Sequence, residues 1–383
     1  MRLLHTSDWH IGRRFNDQDL LPDQAEFGDW LVSLVRDEDI DAVLISGDIF
    51  DRANPTGDAV AVAGMILERV VDTGADVVMI SGNHDSAERL GFVSSLTAKG
   101  GLHIVTEKRS LVDIQGHVRL EGCNDDSIDI LAIPFLEPSR ITDLAGAQLT
   151  HEAVVSRTLE ILKDRVDDPS STIVMAHAFV TNGAVVTSES ERTLAVGGID
   201  TIATSVFDGF GYVALGHLHR PQTVGSESIV YSGSPLAYSF SEEHEKSVRL
   251  VSTDDGFQTL IIPITTGRPV RTLEDSLDRL LHSTKYIDAE GSWVRAKLTD
   301  ESLQLGAMDR LRTRFPWLLR LDQSTALTVQ AGPTLRTVTG EARPPQDIVN
   351  DYVSDTFGDE LSTSISEFIQ ESVNSAFSEE AFQ

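Results

Sequence analysis

The first two-thirds of this 383-residue chain is predicted to adopt an α/β fold. Short apolar runs rich in β-branched residues alternate with longer stretches whose apolar residues recur at helical spacing. Polar residues follow several of these runs directly, which is typical of an open sheet with a site at the carboxyl ends of its strands. The hydrophobic fraction of 40% is that of an ordinary globular protein, and the length allows two or three domains.

The elements follow from these patterns in order. Strands are expected at residues 2–6, 42–46, 77–81, 172–176, 212–216 and 229–233. The stretches "QAEFGDWLVSLVRDED" and "AVAVAGMILERVVDTG" are expected to be helices that connect the first three strands. After residue 265 the pattern changes to a strand, a helix and a strand, in "SWVRAKLTD", "MDRLRTRFPWLLRL" and "ALTVQAG".

Composition restricts the partners and the compartment. The formal net charge is −29, from 31 basic and 60 acidic residues, which by itself argues against a nucleic-acid partner. Metal ions or a basic partner subunit can supply local positive charge, so the net charge does not exclude a nucleic-acid partner. Cys123 is the single cysteine, which excludes an intrachain disulfide and suits a reducing cytosol. Without a signal-like or membrane-spanning apolar run, a cytoplasmic protein is expected.

Side chains suited to metal binding follow five of the predicted strands. They lie in "SDWH" (Asp8, His10), "GDIFD" (Asp48, Asp51), "GNHD" (Asn83, His84, Asp85), "HAF" (His177) and "GHLH" (His217, His219). Polar groups at the ends of buried strands are costly unless something binds them. Carboxylate, amide and imidazole donors suit Mn²⁺, Fe²⁺ or Zn²⁺. So many donors suit two ions that share a carboxylate, about 3.5–4 Å apart.

Each motif alone also has a structural interpretation. Asp8 or Asp48 at a strand end is typical of a helix N-cap, and His177 alone is typical of a hydrogen-bonded core histidine. Five such coincidences at successive strand ends would be required, so the joint pattern favours a dimetal site. A non-catalytic scaffold is a further alternative. A scaffold of this kind loses metal-binding residues, whereas this chain has them after all five strands.

The motifs "DWH", "GDIFD", "GNHD", a single His and "GHLH", in this order, resemble those of the calcineurin-like metallophosphoesterases. Three longer stretches, "LLHTSDWHIG", "ISGDIFDRANP" and "YSGSPLAYSFSEE", are similar to the SbcD-like family of double-strand-break repair nucleases. The resemblance covers residues 1–265 strongly and the remainder loosely. It implies a β-sandwich flanked by helices, a small α+β capping domain and a C-terminal helical tail.

The resemblance also implies roles for the site residues. The metal ligands would be Asp8, His10, Asp48, Asn83, His177, His217 and His219. Asp48 would bridge two Mn²⁺ ions, for which Fe²⁺ or Mg²⁺ could substitute. His84 would stabilise the transition state or protonate the leaving oxygen. Asp51 would hold His84 in its protonated form, and Asp85 would orient a neighbour or cap the next helix.

Three domains are expected: a nuclease domain at 1–265, a capping and DNA-recognition domain at 266–335, and a helical partner-binding segment at 336–383. The resemblance implies an SbcC-like coiled-coil ATPase as partner and a homodimer within a heterotetramer. The sequence contains no P-loop motif, so ATP hydrolysis would come from another chain. Contacts with substrate phosphates are one interpretation of five arginines, Arg13, Arg14, Arg310, Arg312 and Arg314. The stretch at residues 180–198 is interpreted either as a loop that faces the substrate or as a mobile insert.

The expected function is Mn²⁺-dependent hydrolysis of DNA phosphodiesters. The resemblance implies 3′→5′ exonuclease activity on double-stranded DNA and endonuclease activity on single-stranded and hairpin DNA. The alternative is a dimetal phosphatase of the same fold that acts on small molecules or phosphoproteins. Phosphoprotein phosphatases of this fold usually have "GNHE", whereas this chain has "GNHD".

Overall fold

The computed structural model describes residues 1–122, 126–142, 150–183, 185–191, 201–254 and 256–323. The predicted partner-binding segment at 336–383 lies outside these residues, as does the predicted strand "ALTVQAG". The described helices are Leu21–Asp37 (α1), Gly57–Val71 (α2), Ala87–Leu90 (α3), Ser94–Thr97 (α4), His151–Lys163 (α5), Leu277–His282 (α6) and Ala307–Arg312 (α7). Short 3-10 turns lie at Gly91–Val93, Ala98–Gly100, Leu111–Asp113, Pro138–Arg140, Pro169–Ser171, Thr204–Phe207 and Thr284–Ala289.

The strands in chain order begin with Arg2–Thr6 (β1), Arg14–Phe15 (β2), Gln18–Asp19 (β3), Ala42–Ile45 (β4), Asp76–Ile80 (β5), Leu102–Val105 (β6), His117–Glu121 (β7), Ser127–Ile133 (β8), Thr172–His177 (β9) and Val180–Thr181 (β10). They continue with Ile202–Ala203 (β11), Tyr212–Gly216 (β12), Gln222–Val224 (β13), Ser226–Tyr231 (β14), Ser247–Ser252 (β15), Gln258–Pro263 (β16), Val270–Asp275 (β17), Trp293–Leu298 (β18) and Leu318–Gln323 (β19). All six strands predicted from the apolar runs are present, and both predicted helices correspond to α1 and α2.

Within the described residues, two six-stranded sheets form the body of the molecule. The first has the order β16-β15-β1-β4-β5-β6, and the second has the order β13-β14-β12-β9-β8-β7. In the first sheet β1, β4, β5 and β6 are parallel, and in the second β8, β9, β12 and β14 are parallel. The carboxyl ends of the parallel strands in each sheet therefore share one edge. The fold class is α/β, as predicted.

The side chains of the first sheet alternate between two apolar cores. Leu3, Leu44 and Val78 belong to a core that also contains residues of the second sheet, such as Val174 and Ala214. Their chain neighbours point to the other face and pack against α1 and α2. Because successive side chains of a strand point to opposite faces, continuous apolar runs are needed where both faces are covered. The two sheets thus form a sandwich with helices on its outer face.

Residues 270–323 form a smaller parallel sheet, β17-β18-β19, which has its own apolar core. The prediction that "MDRLRTRFPWLLRL" is helical throughout is wrong. The helix α7 ends at Arg312, and the strand β19 begins at Leu318. Pro316, which lacks a main-chain donor and disfavours helical backbone before it, separates the two elements. Over the described ranges, no helix combines the length and the apolar character that crossing a bilayer requires.

Candidate metal centre

The predicted ligands converge at one edge of the sandwich. Asp8 and His10 follow β1, Asp48 follows β4, and Asn83 follows β5, all in the first sheet. The ligands from the second sheet are His177 at the end of β9, and His217 and His219 after β12. The chain therefore brings residues separated by more than 200 positions to the same place. All the predicted ligands other than Asn83 are nearly inaccessible to solvent.

The first side of the centre contains Asp8, His10 and His219. The Nε2 atoms of His10 and His219 lie 3.2 Å apart. Each of the three residues offers a ligand atom, and these atoms all lie within 4.8 Å of one another. Asp8 also accepts hydrogen bonds from the Ser7 hydroxyl and from the main-chain N–H of His217. This spacing allows one cation to contact all three side chains.

Asp48 lies between this first side and a second one. Its Oδ2 atom is 3.5 Å from His10 Nε2 and 3.6 Å from His177 Nε2. The same carboxylate oxygen thus faces an imidazole on each side. Asp48 belongs to two groups of close donor atoms, one with His10 and His84 and the other with Asp8 and His177. A carboxylate in this position can bridge two cations.

The second side contains Asn83, His177 and His217. The Nδ1–H of His177 donates to the main-chain carbonyl of Ser46 at 2.9 Å, which leaves the lone pair of Nε2 free. That nitrogen lies 2.9 Å from Asn83 Oδ1, and the amide nitrogen of Asn83 is buried without a hydrogen-bond partner among the described residues. The ring of His217 lies beside that of His177, with 5.6 Å between centroids. Among the described residues, His217 is in none of the close groups of carboxylate and imidazole donors.

The backbone at several of these residues is strained. The φ angles are 54° at Asp8, 44° at His10, 51° at Asp48 and 112° at His217. Positive φ costs a non-glycine residue roughly 1–3 kcal/mol, and such residues cluster at functional sites. The main-chain N–H groups of Asp8 and His10 donate to the carbonyls of Gly47 and Asp48, so the loops after β1 and β4 hold each other in this conformation.

Two glycines permit the close approach of these loops. Gly47 has a φ of 93°. A Cβ atom on Gly82 would lie 2.1 Å from the Oδ1 atom of Asp48. A side chain at position 82 would therefore displace the central carboxylate. Glycine is needed here for space, since its own φ is not positive.

The site concentrates charge away from water. Burial raises the pKa of Asp8, although nearby histidines oppose this effect. Burial, together with neighbouring histidines, holds the pKa values of His10 and His217 well below the usual range. Burial also lowers the pKa of His177, but the carboxylates of Asp48 and Asp8 outweigh it, and the net pKa is raised. The lowered pKa values favour neutral, ligating imidazoles at His10 and His217, and the two buried carboxylates favour a positive charge beside His177.

The donor set fits a pair of divalent transition-metal ions. His177 Nε2 and the side-chain amide of Asn83 lie 2.9 Å apart, which is close enough for both to contact one cation, while the Ser46 carbonyl holds His177 Nδ1. Within the described part of the chain, His10 Nδ1 and the amide nitrogen of Asn83 lack hydrogen-bond partners despite their burial. Buried polar atoms without partners are rare in folded proteins, and they often indicate a place where an ion or a water binds. Mixed imidazole, carboxylate and amide donors suit Mn²⁺ or Fe²⁺.

His84 lies at the edge of the ligand cluster. Its ring lies 4.7 Å from that of His10 between centroids, and its main-chain N–H donates to Asp48 Oδ1 at 2.8 Å. The ring Nδ1 is 2.8 Å from the main-chain carbonyl of Asp51. Because a carbonyl can only accept, Nδ1 carries the proton, and Nε2 is available for substrate.

The expected pairing of Asp51 with His84 is made by the main chain of Asp51 and not by its carboxylate. The carboxylate binds the guanidinium of Arg13 at 3.1 Å and lies 3.5 Å from that of Arg52. The two guanidinium groups thus take the place that was expected for His84 beside the carboxylate. The linear motif could not reveal these contacts. Asp85 orients its neighbours, as one of its predicted roles required. Its carboxylate accepts the main-chain N–H groups of Ile49, Phe50 and Gly82.

The motif search missed Glu242, which lies in the quoted stretch "YSGSPLAYSFSEE". Its carboxylate is buried and lies 3.1 Å from His219 Nδ1 and 2.6 Å from Lys246 Nζ. Tyr238 was also missed, and its ring packs against the rings of His10 and His219. The available signal was a glutamate and a lysine four residues apart in "EEHEK", directly after the apolar and small residues of "YSGSPLAYSFS".

A cavity of about 410 Å³ opens beside the ligand cluster. It is lined by Arg13, Arg14, Asp51, Arg52, Ala53, Asn83 and His84. Arg14 and Arg52 are exposed, and the side chain of Arg52 is 78% accessible. Arg13 is instead held by Asp51, by the carbonyl of Ser190 and by the ring of Tyr238. Two exposed guanidinium groups therefore flank the centre in a strongly acidic chain.

The arginines of α7 and its flank differ from one another. Arg314 donates to Glu290 and to the carbonyl of Leu280, and Arg312 donates to the carbonyl of Leu318. Both side chains therefore take part in local structure. Arg310 is exposed. Of the predicted loop at 180–198, Ser190 bonds the ring of His219 and Glu191 accepts the main-chain N–H of His219, so this end of its described part lies against the centre.

A model of the family described as calcineurin-like phosphoesterase matches residues 1–221, which is more than half of the chain and includes every predicted ligand. Three solved structures show a similarity that is low in identity. TT1561 of Thermus thermophilus is 15% identical, with a TM-score of 0.39, over 68% of this chain and 98% of that one. GAP50, the anchor in the inner membrane complex of Plasmodium, is 11% identical, with a TM-score of 0.40, over 70% of this chain and 86% of that one. A dimetal phosphatase from Danio rerio is 13% identical, with a TM-score of 0.38, over 69% of this chain and 99% of that one.

Proposed function

The chain belongs to the calcineurin-like phosphoesterase family, and from this premise we propose that it is an SbcD-like nuclease that hydrolyses DNA phosphodiester bonds with two Mn²⁺ ions. The observation that carries the proposal is the position of Asp48. One of its carboxylate oxygens faces His10 and His177 at nearly equal distances, 3.5 and 3.6 Å. A carboxylate that faces imidazoles on both sides fits the pair of closely spaced ions that two-metal phosphoester hydrolysis uses.

Each proposed ion would have its own set of residues. Asp8, His10 and His219 would hold one ion, and Asn83, His177 and His217 the other, with Asp48 shared. The bound ions would supply the positive charge that neutralises the phosphate oxygens and activates water for in-line attack. Fe²⁺ and Mg²⁺ are the proposed substitutes for Mn²⁺.

His84 would act on the leaving group. The main-chain carbonyl of Asp51 holds its Nδ1–H, so the ring is oriented by a rigid main-chain contact. Its imidazolium form would then present the Nε2 proton to the leaving oxygen of the phosphodiester. Asp51 would contribute through this carbonyl and through its ion pair with Arg13, which positions the guanidinium at the cavity wall.

Two features support a polymeric anion over a small phosphate ester. Arg14 and Arg52 are exposed at the cavity and could contact phosphates on either side of the scissile one. Residues 270–323 lie beyond the family match and pack close to the centre, since Val270 and Trp293 share an apolar cluster with Phe15 and Tyr238. This unit is the proposed capping and DNA-recognition domain.

The partners remain proposals as well. An SbcC-like coiled-coil ATPase is proposed to bind the segment 336–383, and DNA as substrate would place the complex at the nucleoid in the cytoplasm. A homodimer is supported by exposed apolar side chains on α2, where Val60 lines an apolar cavity, and on the short helical segment 91–97. These are Val60, Met65, Phe92 and Leu96, with Phe92 82% accessible. Apolar patches of this kind often mark protein interfaces.

The proposal can be tested with three substrates in Mn²⁺ and with a chelator. A hairpin DNA, bis-nitrophenyl phosphate as a diester and nitrophenyl phosphate as a monoester would be compared, with and without the coiled-coil ATPase. We expect cleavage of the hairpin and the diester and loss of both activities with the chelator. Hydrolysis of the monoester with no cleavage of DNA, even with the ATPase present, would instead establish the phosphatase alternative.

A further inference from the structure

We propose that Glu242 is a positioning residue for the metal centre. Its carboxylate, which forms a buried ion pair with Lys246, fixes the tautomer and the ring plane of His219. This inference rests on the dimetal centre proposed above. It concerns a residue outside the five ligand motifs and beyond the matched residues 1–221.

The contacts of His219 define its tautomer. Its Nδ1 atom lies 3.1 Å from the Oε1 atom of Glu242 and 2.7 Å from the Ser190 hydroxyl. A carboxylate can only accept, so Nδ1 carries the proton and Nε2 is left with its lone pair. That nitrogen is the one that faces His10 Nε2 at 3.2 Å. Glu242 thereby directs the donor atom of His219 toward the proposed ion.

Glu242 is itself held from several directions. Its Oε2 atom accepts from Lys246 Nζ at 2.6 Å and from the main-chain N–H of Tyr238 at 3.2 Å. Its Oε1 atom also accepts from the hydroxyl of Ser188 at 2.7 Å and from that of Ser190. The carboxylate side chain has no accessible surface, so it cannot exchange these partners for water without rearrangement. A carboxylate with this many partners orients a ring more rigidly than a solvated one does.

Lys246 compensates the charge of Glu242. Its ammonium group also donates to the Ser234 hydroxyl, at 2.9 Å, and its side chain is 11% accessible. A buried carboxylate without a cation would be costly, since breaking a buried pair from one side leaves an unpaired charge. Outer partners of ligating histidines commonly change metal affinity by about 10- to 100-fold when they are lost.

The test measures Mn²⁺ binding by calorimetry and by electron paramagnetic resonance, in the full-length protein without substrate. We expect Glu242→Gln to weaken one of the two Mn²⁺ sites by about 10- to 100-fold and to leave the other at wild-type affinity. The control is Glu245→Gln, the same chemical change at an exposed glutamate three residues away, which should bind both ions normally. Mn²⁺ binding by Glu242→Gln that equals that of this control would overturn the proposal.

A double variant separates positioning from a purely structural role. Glu242→Gln with Lys246→Met removes both charges and leaves no unpaired ion in the interior. We expect its metal-free melting temperature to be closer to the wild type than that of Glu242→Gln, while one Mn²⁺ site stays weakened by about 10- to 100-fold. Wild-type affinity at both sites in this double variant would refute positioning. Because the readout is metal binding, the inference survives if the protein proves to cleave no DNA.

Discussion

The two sides of the metal centre are held in place by different kinds of group. On the first side, His219 is oriented by the carboxylate of Glu242, which in turn is paired with Lys246. On the second side, His177 is oriented by the main-chain carbonyl of Ser46, which follows β4 in the opposite sheet. The first side therefore depends on side chains that substitution can remove. The second depends on the packing of the two sheets, which substitution at position 46 leaves in place.

Asp48 is the residue that both sides share, so its substitution should have the largest effect. We expect Asp48→Asn to reduce phosphodiester hydrolysis to background and to weaken Mn²⁺ binding at both sites, because an amide is a poor bridge between two cations. Hydrolysis of bis-nitrophenyl phosphate and Mn²⁺ titration measure these effects. The control is Asp39→Asn, which changes an exposed aspartate with a similarly positive φ of 48°. Retention of either Mn²⁺ site at full affinity would remove Asp48 from its shared position.

His84 contributes to neither metal side in this account. We expect His84→Gln to lower kcat by about 10²- to 10⁴-fold, the usual contribution of a general acid, and to leave two Mn²⁺ sites intact. Single-turnover hydrolysis and Mn²⁺ titration on the same sample distinguish chemistry from metal binding. Loss of a bound ion in this variant would make His84 a ligand, as its closeness to His10 and Asp48 also allows.

The exposed arginines act on substrate and not on the ions. We expect Arg14→Ala and Arg52→Ala each to weaken DNA binding and to reduce the salt dependence of log K by about 0.7–0.9 per lost phosphate contact. Fluorescence anisotropy with a labelled hairpin, in Ca²⁺ to prevent cleavage, measures the slope. Arg157→Ala serves as the comparison, since that exposed side chain lies on α5, pairs with Glu160 and does not line the cavity. An unchanged slope in both cavity variants would exclude the cavity as a DNA-binding surface.

The smallest effect on the centre is expected on the second side. Ser46→Ala removes the hydroxyl that donates to the buried carbonyl of Ala214 at 2.9 Å, but it retains the carbonyl that holds His177. We expect the free energy of unfolding to fall by about 1–3 kcal/mol, with Mn²⁺ affinity unchanged. Urea denaturation of the metal-free protein and Mn²⁺ titration test both parts. A weakened Mn²⁺ site here, equal to that of Glu242→Gln, would abolish the contrast between the two sides.

Much of the fold and the position of the centre could be predicted from the sequence. Continuous apolar runs marked β1, β4, β5, β9, β12 and β14, because strands covered on both faces need apolar residues at every position. The donor residues followed those runs directly, so parallel strand ends at one edge placed them together. Local pattern was sufficient wherever a site residue lies next to its strand.

The rest depends on contacts between distant residues. Glu242 lies 23 positions after His219, beyond β13 and β14, so no spacing rule for metal ligands points to it. The carboxylate of Asp51 is bound by Arg13, 38 residues earlier in the chain, which left only its carbonyl for His84. In "MDRLRTRFPWLLRL", helical spacing concealed β19, whose pairing with β18 depends on tertiary packing. Such pairings follow from the assembled fold and not from local pattern.

The most direct test of the central claim is anomalous scattering from crystals of the protein soaked in Mn²⁺. We expect two peaks about 3.5–4 Å apart, one on each side of the Asp48 carboxylate. One peak should contact His10 and His219, and the other should contact Asn83 and His177. Crystals that bind Mn²⁺ elsewhere, or that show no peak beside Asp48, would contradict the account.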